Sequence, residues 1–214
     1  MMRGIGVILL ALLAGLAAHS GARADYNPLS LIQMLIRADV VASGRIVRLD
    51  AASYEFEVAR AIRPDTLPQT LTVRRIDGPD KPDLRWGVYT AGQTLVLFAE
   101  NGDGAGAPLV PLGAAGEGEM PRDEEAVYPM AIAGSAGSRV TADLFGRTVT
   151  AYRFGAEEFF TAAEGFYRCF TPRPDAAPPI EPRCGESELA AYRAQSRLSG
   201  HLVAIADKLL EEGN

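Results

Sequence analysis

"ADVVASGRIV" (residues 38–47) has the apolar, β-branched character of a strand, yet it carries Ser43-Gly44 at its middle. Glycine weakens a flat strand, because it brings no side chain to pack and loses much backbone entropy on ordering. It is used where a strand bends sharply or where another backbone comes close. In a small closed barrel the first strand must coil around a corner so that it pairs with both halves of the sheet. A glycine near its middle allows that bend. The stretch therefore predicts a barrel with Gly44 at the corner of its first strand.

The surrounding segments fit that reading. Strand character recurs at 53–60 (SYEFEVAR), 70–76 (TLTVRRI) and 94–99 (TLVLFA), and more weakly around 109–112 and 126–132. A further pair, 138–144 and 147–153, flanks Phe145-Gly146. In 53–60 the alternation places Tyr54, Phe56 and Val58 on one face, with Glu55, Glu57 and Arg60 outside or at the rim. Turn-rich pieces separate the strands: "RPDTLPQ" (63–69), "DGPDKPD" (77–83) and "ENGDGAGAP" (100–108). Ahead of them, 27–39 sets Leu31, Ile32, Leu35 and Ile36 at helical spacing.

Beyond residue 153 the period changes. Residues 155–170 put Phe159, Ala162, Ala163 and Phe166 on one helical face. A stretch with Pro172, Pro174, Pro178, Pro179 and Pro182 must be extended or looped. Then 186–212 reads as one helix through Leu189, Tyr192, Leu198, Leu202, Ile205 and Leu209, with Gly200 as its weak point. The expected fold is mainly β with flanking helices (α+β): a small OB-like β-barrel over 25–153 and a helical C-terminal segment over 154–214.

Residues 1–24 do not belong to that fold. A positive start (Met1-Met2-Arg3), an apolar run over 5–18 and the small-x-small "ARA" (22–24) before Asp25 have the order of a secretory signal peptide. The run is shorter than the ~20 residues a spanning helix needs. A periplasmic or secreted protein without membrane insertion after cleavage is expected. Its two cysteines, Cys169 and Cys184, are then expected to form a disulfide around "FTPRPDAAPPIEPR". Acidic residues outnumber basic ones by 27 to 21, and the signal contains Arg3 and Arg23 but no acid. That balance argues against a nucleic-acid partner, which binds through clustered Lys and Arg.

The same residues resemble a family. A short helix running into "RADVVASGRI", then "VARAIRP", "LTVRR" and "YTAGQTLVLFA" is similar to bacterial secreted proteins with a netrin- or metalloproteinase-inhibitor-like barrel of the oligonucleotide/oligosaccharide-binding type. Their recurring "G-x-V", "V-x-x-x-x-x-G" and "G-E-x-V-L-x-F" strands correspond to Gly44-Arg45-Ile46, to Val58–Pro64 with proline in the glycine's place, and to Gly92–Phe98. The resemblance spans roughly residues 28–130 and implies a fold, not an activity. The animal inhibitors act through an N-terminal cysteine that binds the protease zinc. Here the cleaved chain would begin Asp25-Tyr26-Asn27, so no active residue carries over.

Motifs for catalysis are sparse. His19 falls in the signal and His201 in the C-terminal helix, so a Ser-His-Asp triad would rest on His201 alone. "AGSAGS" (133–138) lacks the glycine two residues before Ser135 that a nucleophile elbow needs. Neither Lys81 nor Lys208 follows a phosphate-loop glycine pattern. Zinc lacks ligands, while calcium could draw on Glu100, Asn101, Asp103, Glu117, Glu119 and Asp123, although these lie in hairpin-turn and acidic-loop sequence. Glu117 and Glu119 could also form a paired-carboxylate site from one rim. Trp86 and Tyr89 in "DLRWGVYTAGQ" are the binding candidates: they form either a binding platform or a plug for the barrel end, with the plug favoured because large aromatics are mostly buried.

The resulting expectation is a non-enzymatic accessory or protein-binding domain, needing no cofactor or metal, whose partner is another exported or envelope protein. Two alternatives stand beside it: a small-ligand or carbohydrate-binding barrel using Trp86, and a hydrolase using Glu117, Glu119 or Asp123.

Overall fold

The computed structural model describes residues 28–76, 86–114, 116–130 and 137–213. The expected signal segment and its cleavage site, the 77–83 turn and Ser135 lie outside the described residues.

A short helix α1 (Leu31–Arg37) opens the fold, with the Gln33 side chain accepting from the Ser30 backbone N–H at 2.8 Å. It buries Leu31, Ile32, Leu35 and Ile36, the positions its spacing selects. Then come β1 (Val40–Leu49), β2 (Ser53–Arg63), β3 (Thr70–Arg74), β4 (Thr94–Glu100) and the short β5 (Val110–Pro111). They lie in the order β3-β2-β1-β4-β5, with antiparallel neighbours throughout. A parallel bridge between Val73 and Leu109 returns the far edge to β3, through Arg74 N–H to Leu109 O at 2.8 Å and Leu109 N–H to Thr72 O at 2.9 Å. The sheet thus curls into a half-barrel. One further strand, β6 (Glu119–Pro121), pairs with β4 beside β5.

Gly44 sits where the first strand serves both sides. Residues Val40 to Arg45 pair with β4 and Val41 to Leu49 pair with β2, and the register with β2 slips between Ser43 and Gly44. A Cβ at Gly44 would run into the Glu57 carbonyl oxygen and the Phe56 ring. Bulge and glycine together give the bend. The neighbouring Ser43 is buried, and its hydroxyl accepts from Arg122 at 2.7 Å.

Strand periodicity then sorts the side chains. Val40, Ala42, Ile46, Tyr54, Phe56, Leu95 and Leu97 fill the barrel interior, while Val41, Val96 and Phe98 point outward. The outward set is covered by α2 (Ala156–Cys169), where Phe98 meets Phe159 edge-on at 6.4 Å between ring centres. Burial on both faces explains why β4 reads as a continuous apolar run rather than an alternation. A second sheet, in the order β7-β9-β8, is made by β7 (Ala126–Val127), β8 (Ser138–Leu144) and β9 (Arg147–Gly155).

The C-terminal segment departs from expectation in one place. The proline-rich stretch is extended at its ends, as expected, and these pair as β10 (Phe170–Pro172) and β11 (Ile180–Pro182). The last helix is divided, into α3 (Glu186–Gln195) and α4 (Arg197–Glu212), and the break falls at Ser196 rather than Gly200. Ser196 takes an extended conformation and its hydroxyl accepts from Ser199 N–H at 3.0 Å, an N-cap that starts a new helix. Gly200 stays helical, close to the Arg193 carbonyl of the preceding helix.

Cys169 and Cys184 form the expected disulfide, which ties the end of α2 to the strand pair beyond it. Its sequence separation is 15. In the chain-entropy model a loop of that size contributes about 3 kcal/mol. Cys169→Ser/Cys184→Ser should lower unfolding stability by about that amount. Urea titration checks this, and a change below about 1 kcal/mol would mean the bridge is not a staple.

Candidate functional site

Among the described residues, the barrel end nearest the 86–93 loop gathers two buried carboxylates, Glu117 and Glu119, and the buried aromatics Trp86 and Tyr89. Trp86 and Tyr89 are 1% and 4% exposed and pack on Tyr54, Phe56 and Val73 inside the barrel. Both rings therefore hold the plug position, with no face open to stack on a ligand from outside. The Trp86 indole N–H donates to the Glu119 carbonyl oxygen. Tyr54 and Tyr89 tilt against each other at 5.4 Å between centres, and Arg75 lies over the Tyr89 ring at 4.9 Å.

What the two tyrosines share is a carboxylate. Glu119 is fully buried, and it accepts from the Tyr54 hydroxyl at 2.6 Å and from Tyr89 at 2.9 and 3.1 Å. Its place on β6, opposite Leu97, sends its side chain into the interior, and Met120 beside it joins the outer core. Glu117 is 2% exposed and folds over the turn at Gly113, whose φ of 80° needs glycine and where a Cβ would strike the Glu117 carboxylate. The expectation that Glu117 and Glu119 could project from one rim is thus corrected. Both acids lie inside the protein, because β6 docks on β4 and turns Glu119 toward hydroxyls that need an acceptor.

The remaining acids are dispersed. Asp123 accepts from Tyr128 at 2.6 Å and from the backbone N–H groups of Glu125 and Ala126 at 2.9 and 2.7 Å. Burial pushes its carboxyl up, but these hydrogen bonds and nearby Arg153 outweigh that and hold it below the usual carboxylate range. Such a group is suited to stay ionised and brace a turn, not to donate a proton. Glu100 pairs with Arg37 at 3.1 Å. Among the described residues no three His, Cys, Asp or Glu side chains come together as a metal site. His201 lies on α4, packed against α2 and α3.

Open space lies on the outside. A groove of about 380 Å3 runs past Gly44, Arg45, Glu57, Val58, Gln69 and Arg122. Among the described residues the exposed large hydrophobics are Val88 at 69%, Phe145 at 40% and Val47 at 39%. Two of them belong to the plug region: Val88 follows Trp86 by two residues, and Phe145 rests on the Trp86 ring at 5.2 Å between centres. Phe145 also has φ of 55°, at the tip of the β8–β9 hairpin, followed by Gly146 at 80°. A tight hairpin turn of that kind takes Asn-Gly or Asp-Gly, and a bulky ring in this region is rare and costly. The sequence reading singled out the loop beneath this ring but not the ring itself, although "LFGR" at the hairpin tip holds an aromatic where a polar turn residue is usual. No family model, curated protein or solved structure matches the chain.

Proposed function

We propose that the protein is an exported protein-binding domain that contacts another exported or envelope protein through the Val88–Phe145 end of the barrel. The observation that carries this is Phe145: an exposed aromatic held at positive φ, seated on the buried Trp86. Strain retained at an exposed hairpin tip is a reason to look for function there, and aromatic anchors dominate most binding surfaces. Trp86 and Tyr89 then serve as the rigid floor beneath the contact. The disulfide is compatible with an extracellular setting. The resemblance to secreted netrin-like barrels supports the fold and setting of this reading, and no residue role is taken from it. Catalysis by Glu117 or Glu119 would require substrate to reach carboxylates that are 2% and 0% exposed.

The test separates binding from stability. Phe145→Asn relieves an unfavourable turn residue while losing the contact with Trp86, effects of about 1 kcal/mol each and opposite sign. Its thermal midpoint should therefore stay near that of the native protein. Complementation of a deletion strain should fail, as expected for a binding anchor worth about 2 kcal/mol or more. A folded Phe145→Asn protein that complements fully, with Val88→Asp complementing as well, would overturn the proposal.

A further inference from the structure

β8 is an edge strand. It pairs with β9 in unbroken register from Ser138–Arg153 to Leu144–Arg147, and no other strand lies along it among the described residues. Natural edges are usually blunted by proline, a bulge, lysine or great shortness. β8 has no proline, bulge or lysine: it is seven residues long, SRVTADL, without register shift, and its charges are one of each sign, Arg139 and Asp143. An unblunted edge is a template for another strand.

The hairpin geometry shows which backbone groups face outward. Leu144 and Arg147 flank the two-residue Phe145-Gly146 turn, so they form a hydrogen-bonded pair. By alternation Ala142 and Val140 also bond to β9, and the N–H and C=O groups of Asp143, Thr141 and Arg139 point away from it. Their side chains share the exposed face, while Val140, Ala142 and Leu144 pack on Ala126, Tyr128 and Ala151.

We infer that the partner of this edge is the β8 edge of a second copy of the chain, in an antiparallel pair with its two-fold axis at Thr141. That register is self-complementary. Arg139 faces Asp143 of the partner subunit, Asp143 faces Arg139 of the partner subunit, and the threonines face each other. Each of these pairs falls on outward-pointing backbone groups, so each can exchange both of its ladder bonds. Val140 then stands beside Ala142 of the partner subunit on the inner face. Neither Arg139 nor Asp143 has an ion pair or side-chain hydrogen bond within its own chain among the described residues. Opposite charges directly across strands stabilise a pair and like charges oppose it. The result is one continuous sheet through two closed, isologous copies. The contact is small, so a weak, concentration-dependent dimer is expected. The hairpin tip stays outside the paired stretch, so each copy keeps its Phe145 and the dimer presents two of them.

Sedimentation equilibrium of the purified full-length protein tests this. The native protein should dimerise reversibly. Arg139→Glu and Asp143→Arg should each weaken dimerisation tenfold or more, since each places like charges opposite each other twice. Mixing the two variants should restore a dimer, because a mixed pair faces Glu with Arg at one end and Asp with Arg at the other. Thr141→Cys should form an intermolecular disulfide under mild oxidation, as its Cα atoms would meet at about the 5.5 Å of a hydrogen-bonded pair. A native protein monomeric up to high micromolar concentration overturns the inference. So does a dimer that survives either charge reversal, or two folded variants that fail to associate when mixed.

Discussion

Glu119→Ala is expected to remove about 4 kcal/mol of folding stability. The substitution opens a cavity in the interior and takes the acceptor from the Tyr54 and Tyr89 hydroxyls together. Each buried hydroxyl that loses its carboxylate acceptor costs about 1–3 kcal/mol, and the lost side-chain volume adds to that. For a domain whose whole stability is of order 5–15 kcal/mol, most of the margin would go. Two milder substitutions separate the terms. Glu119→Gln keeps the volume and an acceptor oxygen, and should cost about 2 kcal/mol; Tyr54→Phe removes a single donor and should cost less than the alanine variant. Urea titrations with a constant slope would show these losses directly. An alanine variant within about 1 kcal/mol of the native protein would mean that the carboxylate does not organise the barrel interior. The consequence for function is direct: loss of activity on removing Glu119 would report on folding before it reported on catalysis.

Gly44→Ala is the second expected large effect, at about 3 kcal/mol. The added Cβ meets the Glu57 carbonyl and the Phe56 ring, and a backbone carbonyl in the middle of a paired strand cannot swing aside as a flexible side chain would. Simple strand propensity would make the same change neutral or favourable, since glycine is the poorer strand residue. The sign of the result therefore discriminates the two accounts. Gly87→Ala is the matched control, because its nearest obstacle is the Leu144 carbonyl oxygen at 3.8 Å, and it should change stability by less than about 0.5 kcal/mol. A Gly44→Ala protein as stable as the Gly87→Ala protein would mean that β1 is not bent against β2 in the way described.

The barrel was legible where local pattern and global fold agree. The Ser43-Gly44 interruption, the Tyr54–Phe56–Val58 alternation and the Phe145-Gly146 turn each mark an element by rules that act within a few residues. β6 was not legible, since three residues give no period and two glutamates beside glycines carry the composition of a surface loop. Only the long-range pairing with β4 turns Glu119 inward, where the hydroxyls of Tyr54 and Tyr89 make burial of a carboxylate tolerable. The break at Ser196 was hidden for a related reason. Glycine carries the stronger breaker signal in a helical pattern, but a serine hydroxyl that can cap a following turn decides where the new helix starts. At the plug, sequence indicated the aromatic loop and favoured its burial. The exposed ring above it, Phe145, lies 59 positions beyond Trp86, a contact that no local pattern encodes.

We propose that the protein acts by binding through the hairpin tip over Trp86. Site-specific photocrosslinking in the producing organism tests it most directly, with a photoreactive residue placed in turn at Phe145, at Val88 and, as a distant control, at Glu211 on the outer face of α4. A discrete adduct is expected from positions 145 and 88 that is absent from position 211 and is lost from position 88 when Phe145→Asn is introduced. No adduct from either tip position, or one equally strong from position 211, would contradict it.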